Sequence, residues 1–458
     1  MTISFKQEVL KRKDQLIDDL QNLVRINSEL TTFDPKRKGA PFGEGIRKAH
    51  DFMLGLGRRD GFETVDLDGY AGHIEHGDQK PFIGMIGHLD VVPAGNGWTH
   101  DPYGAEIHEN RMYGRGTEDD KGPTIAAYYA LKILKELDVP LSKRIKLIIG
   151  NDEETAWRCM RHYFSIYPEA PEAGFIPDAD FPLIYAEKGI SRLLVEGTVE
   201  AGDIINIKGG FRDNMVPDYA EATLKKTKDY QGLFAIFLNE NHFQGSTVAD
   251  EDVITVKING KSAHGSTPEH GENAIDRLFA FFQYAGMDNT LIRLYDGLLL
   301  GDHHGQKLGV DHTDKEMGEL TNNVGVIRLE EGRYQIHLNL RYPNGVDFDA
   351  TVKTIQTNMN AYEASVKVDH HQKLLYKDPD SPLVKTLLGV YRKHTGDKSR
   401  PITIGGGTFA RAMPNCVAFG PHFLNKPTFI HQKNEFIDLD DLMLATIIYT
   451  EALYELAK

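Results

Sequence analysis

Residues 81–92 read PFIGMIGHLDVV, an apolar run with only two polar side chains, His88 and Asp90, near its end. A short apolar run without alternation is typical of a strand buried on both faces, and polar groups at a strand end suggest an α/β site. Residues 122–137, GPTIAAYYALKILKEL, predict a helix, because apolar positions recur at helical spacing after a Gly-Pro start. Residues 143–154, KRIKLIIGNDEE, predict a second buried strand that runs into acidic residues. This order implies a parallel pair joined by a crossover.

The pattern changes beyond about residue 190 to shorter alternating strands, which include residues 253–258 and a hairpin within residues 322–343 that turns at 330–332. Helical periodicity resumes near Pro382, and a final helix is expected over residues 438–456. We therefore predict an α/β catalytic domain, a mixed sheet flanked by helices, interrupted by an α+β lid domain. The predicted bounds are 1–190 plus 380–458 for the discontinuous catalytic domain and 191–379 for the inserted lid.

Composition limits the class of protein. The 458 residues are 40% hydrophobic and 26% charged, which is typical of a folded globular chain with two or more cores. The net charge of -15 argues against a nucleic-acid partner, and no apolar run is long enough for a membrane span. The only cysteines, Cys159 and Cys416, are too few for a disulfide framework, so we expect a reducing, cytoplasmic location. An amphipathic first helix is expected from the spacing of apolar residues between 9 and 24.

Several polar motifs could carry chemistry. His88 and Asp90 lie two apart on a predicted strand, so their side chains leave the same face, although such a pair also suits an ordinary surface or capping role. Asp119 and Asp120 precede the predicted helix, where capping of the helix N-terminus is the alternative. The acidic triplet 152–154 follows a buried strand, where cations would offset its mutual repulsion; a solvated loop is the alternative.

Asp178 and His431 each adjoin an apolar run and are therefore expected near strand ends. Taken together, two histidines and several carboxylates, without thiolates, suit a pair of divalent ions such as zinc, manganese or cobalt. Two ions about 3.5 to 4 Å apart need a shared carboxylate and separate terminal ligands, and the available residues satisfy that requirement.

The chain resembles, nearly from end to end, metallopeptidases related to aminoacylase and carboxypeptidase G, and more closely the bacterial dipeptidase V (Xaa-His or beta-Ala-Xaa dipeptidase) branch. The matching segments follow the order of that family: GHLDVVPAG, GRGTEDDKGPTIAAYYALKIL, IIGNDEET, PDADFP with EKG, DNMVPD, KSAHGS, LNLRYP, GGGTFAR and HQKNEF. The chain departs from the family pattern at Glu118, Ala156, Asp180 and Ala186 and in the segment PHFLNKPTFI before His431.

The resemblance implies a ligand set for two divalent metal ions, with zinc preferred and manganese or cobalt as alternatives. Asp119 would bridge the ions, with His88 and Asp178 completing one site and Glu154 and His431 the other. Glu153 falls on the general base of the family, which takes a proton from a metal-bridged water as that water attacks the amide. Asp90 falls on the carboxylate that orients His88.

In the family, the inserted domain acts as a lid that bears substrate groups. The resemblance assigns Arg341 to the substrate carboxylate, His264 to oxyanion stabilisation and Asn214 to the substrate site. The glycine run that ends in Gly406, Gly407 and Thr408 permits close backbone approach to a ligand, although a plain flexible turn is also compatible with it.

These observations favour a metal-dependent dipeptidase that hydrolyses short peptides with a free N-terminus. The same metal site would also serve an N-acyl amino acid amidohydrolase of the aminoacylase or desuccinylase type. A non-catalytic binding relative is a third hypothesis, which the presence of Glu153 disfavours. We expect a small peptide as the partner, no nucleic acid or membrane, and either a monomer or a homodimer formed through the lid.

Overall fold

The computed structural model describes residues 3–200 and 202–458, which form two compact units. The first unit comprises the residues up to 186 together with 376–402 and 408–458. The second unit comprises residues 187–375 and 403–407. The short segment 403–407 therefore clusters with the second unit, although it lies within the stretch expected to belong to the catalytic domain.

Both units contain helices and strands. The helices are α1 (Phe5–Leu10), α2 (Lys13–Val24), α3 (Glu44–Arg59), α4 (Lys121–Glu136), α5 (Arg158–Ile166), α6 (Tyr230–Asn241), α7 (Ala274–Tyr284), α8 (Thr290–Leu298), α9 (Phe348–Asn360), α10 (Pro382–Thr395) and α11 (Leu439–Ala457). The strands are β1 (Glu63–Leu67), β2 (Ala71–His76), β3 (Phe82–His88), β4 (Glu106–His108), β5 (Arg111–Tyr113), β6 (Arg144–Gly150), β7 (Ala173–Ile176), β8 (Ala179–Asp180), β9 (Ile184–Glu187), β10 (Gly189–Thr198), β11 (Ile204–Gly209), β12 (Tyr219–Lys225), β13 (Gly245–Ala249), β14 (Val253–Asn259), β15 (Thr313–Asp314), β16 (Gly318–Glu319), β17 (Thr321–Glu330), β18 (Arg333–Tyr342), β19 (Ser365–Gln372), β20 (Leu375–Tyr376), β21 (Ile402–Ile404), β22 (Cys416–Ala418), β23 (Pro421–His422) and β24 (Phe436–Asp438). The predicted mixture of an α/β unit with an α+β unit is confirmed.

The first unit is built on a mixed sheet in the order β1-β2-β6-β3-β7-β22-β9-β20. At its centre β3 pairs in parallel with both β6 and β7, and β22 continues the parallel set beside β7. The strand pair predicted from residues 81–154 is thus confirmed, with Phe82 opposite Arg144 and His88 opposite Gly150. Parallel pairing brings the carboxyl ends of these strands to one edge of the sheet.

Helix α4 forms the crossover between β3 and β6 and is buried almost all round, from Lys121 to Leu134. Its sequence has apolar or small residues on every face, which is typical of a helix enclosed by other elements. The polar groups that it buries are paired, since the Tyr129 hydroxyl donates to Asp19 and the Lys132 ammonium lies 3.0 Å from the Asp60 carboxylate. Helix α11, which is similarly apolar, packs against α4.

The segment near the amino terminus differs from the single amphipathic helix that the sequence predicts. It forms two helices, α1 and α2, separated at Arg12, whose ψ of 7° leaves the helical range. The Arg12 side chain bonds Glu8 and Glu136 there. The expected apolar face is nevertheless retained, because Val9, Leu16 and Leu20 are all buried.

The second unit contains an antiparallel sheet in the order β13-β14-β12-β11-β17-β18-β10-β19. The predicted hairpin is confirmed as β17 and β18, joined through Glu331 and Gly332, both of which have positive φ. Helix α7 packs on β12 and β14, and its Phe279 stacks on Tyr295 of α8 with ring centroids 3.9 Å apart. Aromatic and aliphatic side chains thus form a separate core for this unit.

Among the described residues, no helix combines the length and apolarity that crossing a bilayer requires.

Candidate metal centre

The predicted ligands of the first unit lie where its parallel strands end. His88 is the last residue of β3, Glu153 and Glu154 follow β6, and Asp178 follows β7. Asp119 precedes α4, and His431 precedes β24 with a φ of 61°, in the left-handed region that few residues other than glycine adopt. The topology therefore gathers residues that are far apart in the sequence.

Asp119 lies between two groups of side chains. Its Oδ1 is 3.0 Å from His88 Nε2, and its Oδ2 is 3.0 Å from His431 Nε2. Each imidazole nitrogen also lies near a further carboxylate, with Asp178 Oδ2 at 3.6 Å from His88 and Glu154 Oε1 at 3.0 Å from His431. The five predicted ligands are thus brought together as two histidine–carboxylate groups that share one aspartate.

Asp90 is fully buried and connects the two strand ends. Its two carboxylate oxygens accept the backbone N–H groups of Glu153 and Glu154, each at 3.0 Å. His88 Nδ1 lies 2.9 Å from the backbone carbonyl of Asp90 and 3.5 Å from its carboxylate. Since a carbonyl only accepts, Nδ1 carries the proton, and in the neutral ring Nε2 is left free to act as a ligand.

The acidic triplet does not act as one group. The Asp152 carboxylate accepts from the backbone and side chain of Arg158, with the Nε donor at 2.7 Å, and is fully buried. Asp152 therefore anchors the start of α5. Only Glu153 and Glu154 remain for the metal centre.

The pKa values in this cluster are shifted, because its carboxylates are crowded together. Burial and the Asp119 charge raise the pKa of Asp178 to about 7, and burial also raises the pKa of both Glu153 and Glu154. Hydrogen bonds to Asp119 and Glu154 raise the pKa of His431 to about 10. Protonated imidazoles therefore balance part of the negative charge of these carboxylates. Divalent cations bound at the same place would fill the same role. A set of nitrogen and oxygen donors with an excess of carboxylates, in which His88 and Asp119 are buried, fits divalent cations.

A buried glutamate that sequence reasoning did not single out holds the turn that carries Asp119. Glu435 Oε1 accepts the backbone N–H groups of Gly116, Glu118 and Asp119 at 3.0, 2.9 and 3.2 Å. Its other oxygen pairs with the buried guanidinium of Arg115. The available signal was a lone acid directly before the apolar strand β24, in the same HQKNEF motif as His431.

Glu118, one of the positions that departs from the family pattern, connects this turn to the segment before His431. Its carboxylate accepts the backbone N–H of Phe429 at 2.8 Å and contacts the His422 imidazole. Glu118 is buried, so both contacts are shielded from water. The residue before the predicted bridging aspartate therefore helps to position the loop that bears His431.

The predicted substrate residues of the second unit lie near one another. The backbone carbonyl of Asn214 accepts the N–H of Gly265, next to His264, at 2.8 Å, and Asn214 and Arg341 line one cavity of about 510 Å³. The Ser266 backbone N–H donates to His264 Nδ1 at 3.3 Å, so the neutral ring carries its proton on Nε2. Partial desolvation and the Arg341 charge lower the pKa of His264 to about 4, which keeps the ring neutral at pH 7.

The glycine run is divided between the units. Gly406 and Gly407 belong to the second unit, where Arg341 Nη1 donates to the carbonyl of neighbouring Gly405 at 2.6 Å. Thr408 belongs to the first unit, and its Oγ1 accepts the N–H of Ala410 to begin a short 3-10 helix. Side chains are excluded at Gly405, because an added Cβ would lie 2.9 Å from the Ser266 Cβ.

Comparison with known proteins identifies the family. Residues 84–455 match the model described as peptidase family M20/M25/M40. The chain belongs to this peptidase family. The prediction that the chain is an enzyme of a peptidase family is thereby confirmed.

The relatives match this chain over all or nearly all of their lengths. The chain is 42% identical to a Bacillus subtilis protein named "Putative dipeptidase YtjP", with 100% of both chains covered. It is 41% identical to a Staphylococcus epidermidis protein named "Putative dipeptidase", with 99% of both covered. Among solved structures, human carnosine dipeptidase 1 superposes with a TM-score of 0.61 at 15% identity, covering 98% of each chain. Aminoacylhistidine dipeptidase of Vibrio alginolyticus gives 0.53 at 15% identity over 96% of each chain, so the fold is shared.

Proposed function

We propose that this M20-family peptidase is a dinuclear metallodipeptidase that hydrolyses short peptides with a free N-terminus, as in the dipeptidase V branch. The observation that carries the proposal is the position of Asp119, whose two oxygens each lie 3.0 Å from a different histidine. A carboxylate shared in this way is what two adjacent cations need. The dipeptidase names of the relatives at 41–42% identity support the choice of substrate.

His88 and Asp178 would hold one ion, Glu154 and His431 the other, and Asp119 both. The donors are nitrogen and oxygen atoms only, which suits zinc first and manganese or cobalt as alternatives. Asp90 would hold ligands of both metal ions in position. Its carboxylate fixes the backbone of Glu154, and its carbonyl fixes the His88 ring.

Glu153 would act as the general base. Bound divalent ions would supply Lewis acidity, which acidifies water and polarises the scissile carbonyl. The Glu153 carboxylate, partly exposed and with a raised pKa, would accept the proton of the attacking water and pass it to the leaving amine. Glu154 is unsuited to this role, since its Oε1 is committed to the histidine group.

The second unit would serve as the lid that binds the substrate. Arg341 is held by Asn339 and Gly405 and would bind the substrate carboxylate with its planar guanidinium. His264 carries its proton on Nε2 and would donate it as a hydrogen bond to the developing oxyanion. Asn214, Gly406 and Gly407 would contribute contacts to the peptide backbone, and Thr408 would fix the adjoining turn.

The first test is hydrolysis of a dipeptide panel by metal-stripped protein re-supplied with zinc, manganese or cobalt. Activity should return with metal in the wild type. Glu153→Gln should lose roughly 100- to 10,000-fold in kcat while retaining metal, as expected for a lost general base. Glu154→Gln should instead lose metal, and Glu172→Gln, at an exposed carboxylate of the same unit, should behave as the wild type. Metal binding without release of an amino acid from any dipeptide would refute the proposal.

A second comparison separates the dipeptidase from an N-acyl amino acid amidohydrolase. Each dipeptide is assayed beside its N-acetylated form. Loss of activity on acetylation supports the need for a free N-terminus, whereas preference for the acetylated form would establish the amidohydrolase.

We infer a reducing, cytoplasmic location, supported by two cysteines that are both free and buried. We further propose that the chain acts as a monomer or as a homodimer formed through the lid, which light scattering of the purified protein distinguishes.

A further inference from the structure

A second group of metal-ligating side chains lies outside the site described above, in the first unit. It comprises His100, Glu106 and His108, whose ligand atoms all lie within 4.8 Å of one another. Glu106 and His108 belong to β4, the outer strand of the small sheet ordered β24-β5-β4. His100 lies in the loop that precedes this strand.

The two imidazoles converge on one carboxylate oxygen. His100 Nδ1 is 3.0 Å and His108 Nε2 is 3.1 Å from Glu106 Oε2. Metal–ligand bonds of about 2.0–2.2 Å place neighbouring ligand atoms of a tetrahedral zinc ion about 3.3 Å apart. The two distances to Glu106 are therefore close to those that a zinc ion needs, and the two imidazole ligand atoms lie within 4.8 Å of each other.

The local structure holds these side chains in place. Glu106 and His108 are two residues apart on β4, so both project from the same face of the strand. The His100 ring stacks on Tyr113, with ring centroids 4.1 Å apart, and Tyr113 lies opposite Glu106 in the β4–β5 pair. The site thus joins a loop residue to a paired hairpin.

We propose that His100, Glu106 and His108 form a third divalent-cation site, separate from the dinuclear centre and of the class that binds zinc. Two imidazoles and one carboxylate are a recognised zinc ligand set, and their partial exposure leaves room for water to complete the coordination. The inference does not depend on the proposed dipeptidase activity, because none of these residues belongs to that site.

Occupancy would secure the loop next to the HQKNEF segment. Thr99, which adjoins His100, donates both its backbone N–H and its hydroxyl to Asn434 Oδ1, at 2.8 and 3.1 Å. An ion that joins His100 to β4 would therefore restrain the loop from both sides. The role assigned to the third site is structural.

The stoichiometry of bound zinc tests the proposal. Metal-stripped full-length protein is dialysed against a series of buffered free-zinc concentrations, and bound zinc is measured by mass spectrometry. The wild type should bind one zinc ion more than His108→Ala at saturation, whatever the occupancy of the dinuclear centre. Glu106→Gln keeps a hydrogen-bond acceptor but loses the charge, so it should weaken the binding of this extra ion by at least about tenfold. Glu109→Gln, at the exposed carboxylate that follows His108 in the turn between β4 and β5, should retain the wild-type count.

Copper provides a second readout, because Cu²⁺ binds such sites more tightly than zinc. Each half of the proposed dinuclear centre has one imidazole, whereas this cluster has two. Nitrogen hyperfine coupling from two imidazoles should appear in the electron paramagnetic resonance spectrum of the wild type and disappear in His108→Ala. Equal zinc counts in the two proteins, or the same two-nitrogen signal in both, would overturn the proposal.

Discussion

Glu435→Ala offers a quantitative test of how the bridging aspartate is positioned. The substitution leaves the Arg115 guanidinium buried without its partner and removes the acceptor of the N–H groups of Gly116, Glu118 and Asp119. Removing one partner of a buried ion pair costs about 3–5 kcal/mol of unfolding free energy. Because the same oxygen fixes the Asp119 backbone, we also expect metal affinity to fall by about 10- to 100-fold, as for other outer partners of metal ligands.

Urea unfolding of the metal-free protein measures the first effect, and titration with zinc measures the second. Asp19→Ala is the matched control, since Asp19 is a buried acid paired with Arg59 at 2.8 Å and also accepts from Tyr129. It should also lower stability, by less because Arg59 is partly exposed and retains its pair with Asp60, while leaving metal affinity near the wild-type value. If Glu435→Ala lowers stability but binds zinc as tightly as Asp19→Ala does, Glu435 supports the fold only and our reasoning about the turn is wrong.

Three further outcomes are expected. Asp90→Asn places an amide donor against a backbone N–H of Glu153 or Glu154, so zinc affinity should fall about 10- to 100-fold by competition with a chelator; an unchanged affinity would contradict this role. His431 has a folded pKa of about 10 against about 6.5 when unfolded, so its contribution to the stability of the metal-free fold is complete below pH 6.5 and is lost as pH rises toward 10. Metal binding at pH 7 should therefore release protons, and calorimetric heats that do not change with the ionisation enthalpy of the buffer would exclude this. Arg341→Lys should lower kcat/KM for dipeptides by about 10- to 150-fold through loss of one charged hydrogen bond, but not for dipeptide amides; equal losses on both would refute carboxylate binding.

The sequence was informative wherever local periodicity was strong. The apolar run at residues 82–88, the helix near 121–136 and the strand at 144–150 all appear as predicted, because burial on both faces leaves a continuous apolar signal. The break at Arg12 was not predictable, since it accompanies bonds to Glu8 and to the distant Glu136. Periodicity carries no information about such long-range partners.

The same contrast between sequence and tertiary structure applies to the candidate site. By itself the sequence determined which residue types follow the buried strands, and through resemblance to a family it indicated the five ligands, which the structure brings together around Asp119. Only the tertiary structure decided that Asp152 turns away to Arg158 and that Glu435 supports a turn 319 residues earlier in the chain. The physical reason is that a carboxylate's partner is set by sheet order and loop packing, which join distant segments, whereas sequence patterns report only which face of a nearby strand or helix is buried.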